Sequence, residues 1–453
     1  MDEQQKILKM NTNLNLFKMS IPLFVELMLQ LMVGNMDQIM ISHYSQKSVA
    51  AIVNGNQIMN LVIIVLNMIS MGTTVVLSQY LGARDKEGTS KTCMMSLTLI
   101  TGISIFLTIV VIIFHRNIFK IMNIGPDILD EASTYFVIIA SFILVQGFYL
   151  NFAAILRTFT LMKEVMFISI IMNILNICGN AILINGLFGV PQLGIKGAAI
   201  STVISKIIGL IIIIYLFKKK LDVSLGIKYL KPFPVNIMNK LCKIAFPSGI
   251  ESFSYNLSQM CILGVINTFG TMVTATKGYC SILANFSFIY AIALSQATQI
   301  MIGYLIGAKL FDAIEKRVWN TVRVSLTVCL GFTLILYLKS DLVLQMFTND
   351  PEVLQLGKRI LFIEFFLEIG RAINIGLIRA LIAVGDVKAP MIAGVIGQWA
   401  VALTFSYIFG KVFGWGLEGV WIAMAMDECG RGFVFFLRFR RNKWKRYLDQ
   451  EGI

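Results

Sequence analysis

The chain has 453 residues, 57% of them apolar and 14% charged, with a formal net charge of +14. That balance excludes a soluble globular enzyme and places the chain among polytopic membrane proteins. In a soluble protein the charge would point to nucleic acid, but here the basic residues fall in the gaps between apolar runs, where they mark topology.

In chain order, apolar runs predict twelve spans, near 16–42, 52–79, 92–114, 133–156, 164–187, 197–217, 241–268, 277–303, 320–339, 357–381, 388–410 and 418–438. Residues 1–6, MDEQQK, hold acids and no basic-then-apolar leader, so the first span is expected to be retained. That span carries Asp37, late in a run long enough to cross a bilayer, where a carboxylate costs about 2.5–3.5 kcal/mol on insertion scales. Helical spacing puts Pro22, Glu26, Gln30 and Asp37 on one stripe, which predicts a polar face on a wet cavity. In the second span Asn56, Asn60 and Asn67 share a face; such amides line a translocation cavity or bond neighbouring helices.

The lysine-rich stretch after the sixth span, with Lys231-Pro232-Phe233-Pro234, reads as a cytoplasmic linker. In the tenth span Glu364, Glu368 and Arg371 fall at i, i+4 and i+7 on one face. They suit cation or substrate binding, but Glu368 and Arg371 can equally neutralise one another as a structural ion pair. Methionine and phenylalanine, 24 and 32 residues, offer an adaptable apolar surface, although most are expected to meet lipid or core.

The two histidines stand alone, the seven cysteines form no C-x-x-C pair and no phosphate-binding loop is present, so neither a metal cluster, a disulfide framework nor direct ATP drive is expected. With a cytoplasmic amino terminus, the inner segments hold 28 of the basic residues and the outer segments nine, which places both termini inside.

Overlaying the halves exposes a repeat. Residues 21–26, IPLFVE, recur as FPSGIE at 246–251, which makes Glu251 the counterpart of Glu26. Leu81-Gly82-Ala83-Arg84 recurs as Ile306-Gly307-Ala308-Lys309 at the same offset of 225; Arg157 matches Arg379, and Gly194 matches Gly416, at 222. Four ordered matches predict an all-α polytopic protein of twelve transmembrane helices in two six-helix lobes related by pseudo-two-fold symmetry. The expected parts are residues 1–217 as the amino-terminal lobe, 218–240 as the linker, 241–440 as the carboxyl-terminal lobe and 441–453 as a basic cytoplasmic tail. The recurrence of Glu26 as Glu251 favours matching structural roles for that pair, with Glu251 also a candidate beside Glu368 and Arg371.

The chain resembles the multidrug and toxin extrusion (MATE) transporters over nearly its whole length. The resemblance rests on the proline and later acid of the first span, on residues 179–202 (GNAILINGLFGVPQLGIKGAAIST), on 377–390 (LIRALIAVGDVKAP) and on 416–424 (GLEGVWIAM). Members often have an acid where Asn180 stands, so Asp37 would be the main acid of its lobe. The resemblance implies that Asp37 gathers with Asn176, Asn180 and Thr202. A carboxylate with amide and hydroxyl oxygens suits Na⁺, held at Asp37, Asn176 and Asn180, or the carboxylate takes up H⁺; the bland alternative is a hydrogen-bonded structural cluster. The expected activity is export of amphipathic, cationic drugs or toxins by antiport with Na⁺ or H⁺ through alternating access. The alternative within the superfamily is a flippase for a lipid-linked precursor. No cofactor beyond the coupling ion and no nucleic acid is expected. The partners are small amphipathic solutes and membrane lipid, and the protein is expected to be a monomer in the inner membrane.

Overall fold

Twelve helical spans follow one another along the chain in the computed structural model, which describes residues 3–42, 44–122 and 124–448. A short helix α1 (Glu3–Met10) leads into α2 (Asn13–Ser42), α3 (Gln46–Ala83), α4 (Lys86–Ile121), α5 (Pro126–Ala140), α6 (Ile143–Thr158), α7 (Met162–Asn185) and α8 (Ile195–Lys220). After the linker come α9 (Val235–Asn267), α10 (Thr271–Gly307), α11 (Phe311–Leu338), the short α12 (Ser340–Gln345) and α13 (Pro351–Ala383). Then α14 (Lys388–Ile396) continues through π-helical turns at Gly397–Leu403 and Ile408–Val412 on either side of α15 (Thr404–Tyr407), and α16 (Gly416–Arg440) and the short α17 (Lys445–Leu448) close the chain. No strand is present among the described residues.

Local chemistry sets the ends. Asp85 caps α4 by accepting from the Gly88 N–H at 2.8 Å, and Asp350 caps α13 by accepting from the Glu352 N–H at 2.9 Å. The fourth expected span is two helices, α5 and α6, bent by 48°. The Ser141 hydroxyl donates back to the Val137 carbonyl oxygen at 2.7 Å, a back-bond that bends helices.

Among the described residues eight helices are long and apolar enough to cross a membrane, and the bent pair makes nine. The three spans that fall short are α9, α13 and α16. Glu364, Glu368 and Arg371 lower the hydropathy of α13; Asp427, Glu428 and Arg431 lower that of α16. Such helices need other helices, not lipid, around their polar faces.

The chain divides into two compact units, one of Met1–Phe24, Gly82–Arg84 and Phe246–Ile453, the other of Val25–Leu81 and Asp85–Ala245. The second unit has cores around Phe119 and Phe136 and around Phe152 and Phe217. In the first unit Phe435, Phe439 and Trp444 form one core, against which Ile7 and Leu448 both pack; Trp421, Leu361 and Leu367 belong to another. Arg317, buried on α11, fixes the amino-terminal segment by donating to the Asn11 side chain (2.5 Å), the Asn11 carbonyl (2.7 Å) and the Asn13 side chain (3.1 Å).

The repeat is also written in the backbone. Arg84 and Lys309 both adopt left-handed conformations, with φ of 56° and 58°, and Gly194 and Gly416 have φ of 52° and 59°. Non-glycine residues rarely take that conformation, so the first coincidence is informative.

Candidate functional site

In the amino-terminal half, Asn176 and Asn180 lie one turn apart on α7, buried against α8. The Asn176 amide donates to the Thr202 hydroxyl at 3.1 Å, the Asn180 amide approaches Asn176 Oδ1 at 3.5 Å, and Ser201 donates to the Asn176 carbonyl at 2.9 Å. Amide and hydroxyl oxygens are thus gathered in an apolar surround, and the three residues expected to meet do so. Asp37 lies on α2, but its side chain falls outside the described residues.

Elsewhere in this half, Glu26 is buried and ion-paired with Arg157 of α6, and Gln30, exposed, donates to the same Glu26 oxygen at 3.4 Å. The asparagines of α3 divide. Asn56 accepts from the Tyr135 hydroxyl of α5 at 3.1 Å, a helix–helix bond, whereas Asn60 and Asn67 are exposed.

The carboxyl-terminal half holds a larger set of charges. On α13 the Arg371 guanidinium bridges Glu364 at 2.8 Å and Glu368 at 3.2 Å, and sits over the Phe288 ring, 4.7 Å from its centre. Glu364 also accepts from the Trp421 indole at 2.7 Å. On α16 Arg431 binds both oxygens of Asp427, at 2.9 and 2.7 Å, and Glu428 at 2.8 Å. Asn374 of α13 joins the two helices by donating to Glu428 at 2.7 Å. Glu251 of α9 accepts from Gln398 at 3.1 Å and does not join the α13 ion pairs. Its repeat counterpart is salt-bridged, so the two glutamates have different partners. Gly397, where the π-helical turn begins, runs so close to Asp427 that a Cβ there would collide with the carboxylate.

The sequence profile of the MatE family matches residues 22–182 and 247–408. The chain belongs to the MatE family. It is 35% identical over 430 residues to the uncharacterized transporter YisQ of Bacillus subtilis, covering 95% of this chain and 94% of that one. A probable multidrug resistance protein NorM of Thermotoga maritima is 27% identical, over 95% and 93% of the two chains. A crystal structure of MATE in the bent conformation superposes with a TM-score of 0.88 at 20% identity, over 96% of each chain. This MatE chain is therefore an all-α, twelve-helix, two-lobed membrane protein of a transporter family, not of an enzyme family.

Sequence reasoning missed half of this MatE chain's charged network. Arg431 lies inside α16, 5% exposed and bound to two acids. The spacing Asp427-Glu428-x-x-Arg431 within an apolar run was the available signal, since acids one turn before an arginine share its face. Asn374 and Gln398 gave no such signal. For a coupling ion, the oxygens at Asn176, Asn180 and Thr202 fit Na⁺, a hard cation that takes oxygen ligands. Among the described residues no three His, Cys, Asp or Glu side chains are grouped as a metal centre.

Proposed function

We propose that the protein is a secondary active exporter of amphipathic, cationic drugs or toxins, driven by antiport with Na⁺ or H⁺ through alternating access in the inner membrane, with both termini cytoplasmic. The observation that carries this reading is the excess of carboxylates in the carboxyl-terminal half. Glu364, Glu368, Asp427 and Glu428 gather around Arg371 and Arg431, the two arginines that pair with them among the described residues, and Glu251 stands apart, bonded to Gln398. Glu368 Oε1, fully buried, meets no hydrogen-bond donor among the described residues. Buried carboxylates in excess over their counter-ions favour a bound cation, and ionisable groups at membrane depth are commonly part of an ion or substrate path. The names of the NorM relatives, multidrug resistance proteins, support the same reading.

In this reading Asp37 with Asn176, Asn180 and Thr202 serves the coupling cation, and Glu368 with Arg371 and Glu251 serves cation or substrate in the other half. A flippase for a lipid-linked precursor is less favoured, because it would want free cations for a pyrophosphate and Arg371 and Arg431 are each held by two acids. The test is efflux of a cationic dye from proteoliposomes under a Na⁺ gradient and a pH gradient imposed separately. Efflux driven by one of them is expected; efflux indifferent to both would sink the antiport.

A further inference from the structure

A cleft of about 580 Å³ opens where α4 begins and the linker passes. Four lysines line it: Lys86 and Lys91 from the first turns of α4, Lys228 and Lys231 from the linker. Two acids answer them, with Asp222 on Lys86 at 3.0 Å and Glu87 on Lys91 at 2.6 Å. Lys228 and Lys231 have no carboxylate within ion-pair distance among the described residues, so the cleft keeps a net positive charge.

The linker is held there by its own alternation. The chain is extended at Leu221, where it leaves α8, and again at Gly226, and the side chains between alternate in their surroundings. Leu221 and Val223 pack on the core around Phe152 and Phe217, while Asp222 and Ser224 turn to the cleft. A single 3₁₀ turn, Ile227–Leu230, then sets Tyr229 beside α4. Hydrogen bonding to Ser224, with smaller help from Ser90 of α4, holds the Tyr229 phenol below its ordinary pKa.

The level of the cleft identifies the medium. α4 is charged in its first turns, at Lys86, Glu87 and Lys91, and then carries no charge until Arg116, and α8 ends its apolar run at Lys218, Lys219 and Lys220. Both helices therefore leave the hydrocarbon layer at this point, at headgroup depth. Beside the lysines the linker exposes Leu225, Ile227 and Phe233, with Ile227 68% exposed. Apolar side chains next to lysines at the end of a span mark a segment lying in the membrane interface.

We propose that this cleft binds the phosphate headgroup of an anionic phospholipid, with Lys228 and Lys231 on the phosphate and Leu225, Ile227 and Phe233 among the acyl chains. The headgroup ties the linker to the start of α4.

The experiment titrates the full chain in detergent with phosphatidylglycerol, phosphatidylcholine or inorganic phosphate and follows the melting temperature. Phosphatidylglycerol is expected to raise it saturably, and the other two are not. In Lys228→Gln with Lys231→Gln the half-saturating phosphatidylglycerol concentration should rise at least threefold. A control with the same charge change outside the cleft, Lys218→Gln with Lys243→Gln, should leave it unchanged. All four side chains are exposed, so neither variant removes a packed group. Equal losses in both variants would reduce the effect to general charge and overturn the site. An equal rise with phosphatidylcholine would make it ordinary annular lipid, and a rise with inorganic phosphate alone would make the ligand a free anion; either result overturns the proposal.

Discussion

Asn374 and Glu428 meet at 2.7 Å across two buried helices, amide to carboxylate. The contact is one of two direct hydrogen bonds between polar side chains of α13 and α16 named above, the other being that of the Trp421 indole to Glu364. In Asn374→Leu the Glu428 oxygen loses that donor with little change in volume, a loss of about 1–3 kcal/mol for a charged buried acceptor. The melting temperature in detergent should fall accordingly. Made again in a Glu428→Gln background, the same change should cost clearly less; simple additivity of the two would show that the contact carries no coupling.

Arg371 bridges two glutamates, so its loss is expected to be severe. Arg371→Gln leaves two buried acids without their cation, and breaking a buried pair in this way costs about 3–5 kcal/mol. Folded yield should drop. Glu368→Gln together with Arg371→Gln should restore much of the yield but not gradient-driven efflux. Recovery of both would make the ion pair structural and remove Glu368 from the coupling site.

For Asp37 the expected result is the reverse: loss of transport without loss of protein. Asp37→Asn removes a charge from an apolar span, which makes insertion cheaper, while it abolishes the group assigned to alternate between holding and releasing the cation. Efflux should fall to background at normal expression, and substrate binding in detergent should persist without responding to the coupling ion. Near-normal efflux would transfer the role to Glu251 or Glu368.

Topology can be read by labelling. In a background with the native cysteines changed to serine, a cysteine at Lys219, exposed at the end of α8, should react only with reagent on the cytoplasmic side. One at Lys339, exposed at the end of α11, should react only from outside. The same side for both would break the twelve-span order.

Hydropathy made the twelve spans legible, and the repeat was legible because duplicated turns kept their residues: Arg84 and Lys309 share not only a motif but a left-handed backbone. The α13 acids and arginine were legible because their spacing falls within two helical turns. What escaped was long-range. Arg431 pairs locally, with acids three and four residues before it, so its pairing was readable from spacing, whereas only the fold sets Asn374 against Glu428. The pairing of Glu26 with Arg157 was equally hidden, since the two are 131 residues apart. The bend at Ser141 depends on which carbonyl its hydroxyl chooses, which composition does not encode.

The placement of arginines bears on how the chain is made. As α13 leaves the ribosome it brings Arg371 with Glu364 and Glu368, and α16 brings Arg431 with Asp427 and Glu428, so each enters the translocon already carrying a counter-ion. Glu26 is ion-paired with no basic residue of α2 among the described residues; its arginine arrives with the fourth span, three spans later in synthesis. The first span therefore enters with Glu26 unpaired, and that ion pair can close only once α6 has been made, so the beginning of the chain is completed by a helix synthesised after it.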